Sequence, residues 1–245
     1  YKIGIDAQAA GFAVQDVGLA DITATVGLGP GAGGLTLAGD VTARLRRFDI
    51  AFLRELGGGL PVVKTRLLLG DDKKLRFSNL NIQAPKLSLQ GNGVQQTATI
   101  FEFTGRGEHD QYGRFNLVLD GPLARPKVAV LLESPLPAAG LSAVQVNLDP
   151  SEKGFTFTAA GGSTLGPFAG NGAIITVPGQ DTQVRIDRLL VSDTLATGTI
   201  RPTSEGLAGN LAISGGGVSG NVLFEPGANR QLIRAKLMAE NARFD

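Results

Sequence analysis

Val144-Gln145-Val146-Asn147-Leu148-Asp149 and Phe155-Thr156-Phe157-Thr158 alternate apolar and polar residues one for one. A period of two puts successive side chains on opposite faces of an extended backbone, so these runs describe strands with one greasy face and one wet face. The pattern recurs in Leu75-Arg76-Phe77, in 80–84, 86–90, 115–120, 127–132, 184–187, 211–214, 218–224 and 233–237. Turn chemistry separates the runs: Asn92-Gly93, Asp120-Gly121-Pro122, Asp149-Pro150, Asn171-Gly172, Pro178-Gly179 and Glu225-Pro226-Gly227. We expect a mainly β chain of roughly 20 short strands.

One stretch breaks the rhythm. Leu45, Phe48, Phe52, Leu53 and Leu56 recur at helical spacing ahead of Gly57-Gly58-Gly59, which predicts an amphipathic helix over 44–56 with a glycine stop. No linker or shift in composition separates a second domain, so 1–245 reads as a single elongated segment. The chain opens on Tyr1 rather than Met, and its last residues still read as structured, so we expect a fragment of a longer protein. No apolar run reaches the ~18 residues of a membrane-spanning helix.

Composition narrows the function. Lys plus Arg (23) nearly balance Asp plus Glu (22), and the two signs are interspersed, which argues against a nucleic-acid partner. The absence of cysteine rules out disulfides, thiol catalysis and thiolate metal sites. Catalytic motifs are thin. Gly29-Pro30-Gly31-Ala32-Gly33-Gly34 matches G-x-G-x-x-G, but such a loop cradles a pyrophosphate only where it opens a helix. Here 35–43 alternates like a strand and Pro30 deletes a backbone donor, so 27–34 reads as a strand–loop–strand connection. His109, the sole histidine, precedes Asp110; with no second His or Cys to join it, the pair reads as a solvated turn rather than a metal or acid–base site. Gly217-Val218-Ser219-Gly220-Asn221 lacks the last glycine of a nucleophile elbow. A sugar-cleaving enzyme would want aromatic platforms beside paired carboxylates, and there is no Trp and only two Tyr. We expect no enzyme activity, no metal and no cofactor.

What remains is a large apolar face. The mean hydropathy of +0.10 is high for a turn-rich β chain, and 35 glycines among 245 residues is about twice ordinary usage. Glycine permits bends and bulges, so one long sheet can curl around its own apolar side and leave a groove suited to acyl chains. The inward set is then Leu75, Phe77, Leu87, Leu89, Phe115, Leu117, Leu119, Val128, Val130, Val144, Val146, Phe155, Phe157, Val184, Ile186, Leu211, Ile213, Val222, Phe224 and Leu237. The alternative for each is ordinary closed core.

Several successions carry a resemblance. Leu75-Arg76-Phe77-Ser78-Asn79-Leu80-Asn81-Ile82-Gln83-Ala84-Pro85-Lys86-Leu87, then Gly91-Asn92-Gly93, Tyr112-Gly113 and Leu119-Asp120-Gly121-Pro122-Leu123-Ala124-Arg125-Pro126 resemble the repetitive β region of bacterial TamB proteins. So do Gly161-Gly162-Ser163-Thr164-Leu165-Gly166-Pro167-Phe168 and Gly198-Thr199-Ile200-Arg201. The resemblance implies an AsmA-like, bridge-like lipid-transfer fold, a β-taco whose hydrophobic groove passes phospholipids across the periplasm of a Gram-negative bacterium. It also implies an inner-membrane anchor, an outer-membrane barrel partner of the TamA/BamA type, and a role in outer-membrane protein assembly. No catalytic motif comes with it. The rival readings are an adhesive, autotransporter-like β-solenoid stalk with a closed dry core, and a fragment of an outer-membrane barrel.

Overall fold

The computed structural model describes residues 3–14, 17–31, 34–123, 125–135, 140–177, 180–203, 205–227 and 231–240. The fold is mainly β and antiparallel, and it divides into two compact units, Tyr1–Pro135 and Leu136–Asp245, rather than the single segment expected.

The first unit holds β1 (Ile3–Val14), β2 (Gly18–Gly31), β3 (Gly34–Phe48), a short helix α1 (Ala51–Gly57), β4 (Val62–Leu69), β5 (Leu75–Ala84), β6 (Leu87–Gln95), β7 (Ile100–His109), β8 (Gly113–Pro122) and β9 (Lys127–Leu132). Each strand pairs antiparallel with the next in sequence, so the unit is a meander. The second unit is a meander too: β10 (Ser142–Ser151), β11 (Gly154–Ser163), β12 (Gly166–Ile175), β13 (Gln183–Val191), β14 (Thr194–Thr203), β15 (Gly206–Gly215), β16 (Val218–Glu225) and β17 (Leu232–Ala239). Neither meander closes into a barrel among the described residues.

The strands are fewer and longer than the sequence pattern suggested. Asn92-Gly93 and Asn171-Gly172 lie inside β6 and β12, and Asp149-Pro150 inside β10, so these dipeptides serve the sheet rather than end it. Pro178-Gly179 lies outside the described residues. The glycine-rich stretch 27–34 is mostly strand: β2 runs on to Gly31, which pairs with Gly34, and the tip between them lies outside the described residues.

The three-turn helix over 44–56 is absent. Residues 44–48 continue β3, and only the seven residues of α1 are helical. A β-bulge explains the misleading spacing. Leu19 pairs with Arg47 but Ala20 pairs with Leu45, so Arg46 is the extra residue, and the same-face neighbours Leu45 and Phe48 end up three apart instead of two. Nor is the remnant amphipathic in the expected sense, because Leu53 is exposed.

Candidate functional site

Residues directly opposite one another in an antiparallel pair share a face. In the first unit, Leu67, Phe77, Gly93, Phe103, Leu119 and Val128 succeed one another across β4 to β9. Beside this row, Gly91, Gly105, Leu117 and Val130 form another, and Ile82, Leu89, Gly107, Phe115 and Leu132 a third. Leu75 lies between Leu69 and Gln95 on the same face, and Leu87 lies between Ala84 and His109.

The second unit repeats the arrangement. Leu148, Phe157, Gly172, Ile186, Gly198, Leu211 and Val222 form one row. Val146, Ala159, Gly170, Leu189, Ala196, Ile213, Gly220 and Leu237 form the next. Phe155, Ile174, Val184, Ile200, Gly209 and Phe224 complete a third. Val144 packs against Gly161, where an added Cβ would lie 3.0 Å from its Cα. All twenty residues expected to point inward thus share the apolar face of their own unit.

Burial distinguishes the two faces. Along β8, Asn116, Val118 and Asp120 are exposed while Phe115 is buried and Leu117 and Leu119 are half-buried. Of the twenty, only Leu89, Phe115, Val144 and Leu211 are buried; Leu237 is exposed, and the other fifteen are half-buried. No large side chain among the described residues is fully buried. The chain exposes 15219 Å², against roughly 10,000 Å² for a compact monomer of this length.

Sequence reasoning missed part of the apolar face. Leu28, Leu37 and Leu67 extend it into β2–β4, where the run Leu67-Leu68-Leu69 hides its own alternation. It also missed where the glycines lie. Gly91, Gly93, Gly105 and Gly107 all occupy inward positions, and the Phe103 and Phe115 rings lie over them: a Cβ on Gly105 would sit 2.6 Å from Phe103 Cζ, and one on Gly107 2.5 Å from Phe115 Cζ. An aromatic ring laid over a neighbouring glycine is one of the devices that pin strand register.

His109 is not in a solvated turn. It is 5% exposed at the end of β7. Its Nδ1 accepts from the Gln111 and Tyr112 N–H groups at 3.0 and 3.3 Å, which leaves Nε2–H to donate to the Leu56 carbonyl at 2.9 Å. The Tyr112 ring stacks on the imidazole at 4.7 Å, and burial pushes its phenol above the usual range.

The polar face carries the ionic contacts, among them Arg46–Asp21 (2.6 Å) and Arg185–Asp187 (2.7 Å). It also carries a shallow depression of about 480 Å³ bordered by Gln145, Asn147, Thr158, Asn171 and Arg188. Among the described residues, no three His, Cys, Asp or Glu converge as metal ligands, and no helix is long and apolar enough to cross a membrane. No family model, curated protein or solved structure matches the chain.

Proposed function

We propose that this chain is a lipid-transfer segment whose apolar faces form an open, curved groove for phospholipid acyl chains. One observation carries the reading: each unit has unbroken apolar rows spanning its strands, and most of their large side chains stay half-wet. Such a face in water favours an apolar occupant, and each CH₂ of an acyl chain that it covers gains about 0.8 kcal/mol. A continuous row lets that chain slide without re-exposing methylenes, so transport needs no energy-coupling motif in this segment. The successions shared with the TamB β region support the same reading, and from them we propose a periplasmic setting. The full-length protein would be anchored in the inner membrane and would work with an outer-membrane barrel of the TamA/BamA type in envelope assembly.

A stalk with a closed dry core would bury most of its large inward side chains, and of the twenty only Leu89, Phe115, Val144 and Leu211 are buried. Native mass spectrometry of the purified chain tests the proposal. Phospholipid should co-purify with the wild type and be lost from the Leu117→Asp, Phe157→Asp double variant while the β-sheet circular dichroism is kept. A folded wild type that never carries lipid would sink the reading.

A further inference from the structure

The connection between β3 and β4 is far longer than neighbouring strands require; β5 and β6 are joined by Pro85-Lys86 alone. Residues 49–61 spend the extra length crossing the ends of β5, β6 and β7. The Gly57 carbonyl accepts from the Lys86 N–H at 2.9 Å, and a Cβ on Gly57 would stand 3.2 Å from Ala84 Cβ. Ala84, Leu87 and His109 are the last inward row at this rim, so the strap lies over the edge of the apolar face. Within the strap, Gly57 and Pro61 are buried.

Its two roots are tied into the sheet, the Asp49 N–H donating to the Val17 carbonyl at 2.9 Å and the Leu45 N–H to the Pro61 carbonyl at 3.2 Å. Gly58 and Gly59 lie against Lys86 and Pro85, and between the roots two hydrogen bonds to the sheet are seen among the described residues. The Lys86–Gly57 bond is one and the His109 Nε2–H bond to Leu56 is another; Arg54 reaches back to the Phe48 carbonyl at 3.3 Å within the strap's own root. Gly58 (φ +69°) and Gly59 (φ +153°), beside the contact point, hold backbone conformations that side-chain-bearing residues rarely adopt. Among the described residues, the imidazole is the sole ionisable side chain in the inward rows. It is held in one tautomer by two backbone donors on its other nitrogen, so its proton points at the strap. A ring fixed on the sheet, with its one N–H bonded to the strap beside two glycines of positive φ, has the parts of a catch.

We propose that residues 49–61 are a lid on one rim of the apolar face, latched by His109, and that its release opens a lateral port through which a lipid acyl chain enters. This rests on the lipid-transfer reading above and adds where and how the groove is loaded.

The full chain has no cysteine, so a Gly57→Cys, Ala84→Cys pair, close to the ~3.8 Å Cβ separation of a disulfide, locks the strap on oxidation and frees it on reduction. Two measurements are made. Hydrogen exchange followed by mass spectrometry compares wild type with His109→Ala and His109→Gln. Loading is followed with vesicles of phosphatidylethanolamine and phosphatidylglycerol carrying a self-quenched fluorescent phospholipid. Strap exchange should rise roughly tenfold in His109→Ala, the worth of one lost hydrogen bond, with β10–β17 unchanged and partial rescue by Gln. Oxidised protein should load about tenfold more slowly than reduced protein and reach the same final occupancy. Unchanged strap exchange in His109→Ala overturns the latch, with or without lipid. Responsive strap exchange with equal loading by locked and free protein overturns the port and leaves the conduit standing. If reduced and wild-type proteins never load, the lipid-transfer reading fails and the port goes with it.

Discussion

Gly105 shows how little room the apolar face leaves at its floor. A Cβ there would meet the Gln90 carbonyl at 2.5 Å as well as the Phe103 ring. The ring can swing aside, but the carbonyl belongs to the ladder and cannot. Gly105→Ala should therefore destabilise the protein by about 1–3 kcal/mol, read by calorimetry as a fall in Tm of roughly 2–10 °C. Gly4→Ala, with nothing within 4 Å of its added carbon, should stay within about 0.5 kcal/mol of wild type. Equal effects at the two sites would contradict the close-approach argument. At this scale the sequence was informative about apolar side chains, because alternation is a direct print of the pleat: Phe115, Leu117 and Leu119 were all legible. The glycines between them were not, since a missing side chain carries no period, and Gly105 looks the same whether it turns a chain or lies under an aromatic ring. His109 was misread for a related reason. Its partners are backbone atoms, one of them far away at Leu56, and no residue type announces them.

Among elements, β2 shows how bulges are managed. A bulge in β1 puts Gly11 at φ +64°, and another in β3 leaves Arg46 unpaired in the ladder. Asp21 of β2 binds both, accepting from the Gly11 N–H at 2.9 Å and from Arg46 Nε at 2.6 Å. The Gly11 N–H and then the guanidinium hold its carboxyl below the usual value of 3.8. A group whose pKa is depressed by folding contributes stability above its unfolded value and loses it as pH falls through the folded one. Asp21→Asn should thus speed amide exchange in β1 several-fold at neutral pH and flatten the loss of stability below about pH 4. Identical acid unfolding curves for the two proteins would remove Asp21 from this role. These bulges are also why element boundaries were hard to read. A single extra residue turned the Leu45–Phe48 spacing from strand-like to helix-like, and Asn-Gly pairs that commonly make turns sit in β6 and β12 because those strands need small inward residues beside an outward amide.

Across the whole chain, the same half-wet faces have a calorimetric signature. The heat capacity of unfolding tracks apolar surface newly exposed, about 12–15 cal/mol/K per residue for compact proteins. Delipidated protein should fall clearly below that range, and added phospholipid should raise its Tm by binding the native state alone. A normal heat capacity without lipid would mean that the faces are already covered. The mainly antiparallel β class was legible from end to end, whereas the break into two units was passed over because the same alternation continues on both sides, although Ser134-Pro135-Leu136-Pro137 interrupts it at the boundary. The meander itself has a consequence for how the protein is made. Within each unit every strand partners the one just before it in the chain, so the loops closed during folding are short and their entropic cost is low. A nascent chain can therefore lay down each unit in the order of its synthesis, every new strand finding a finished neighbour to dock on rather than waiting for a distant one.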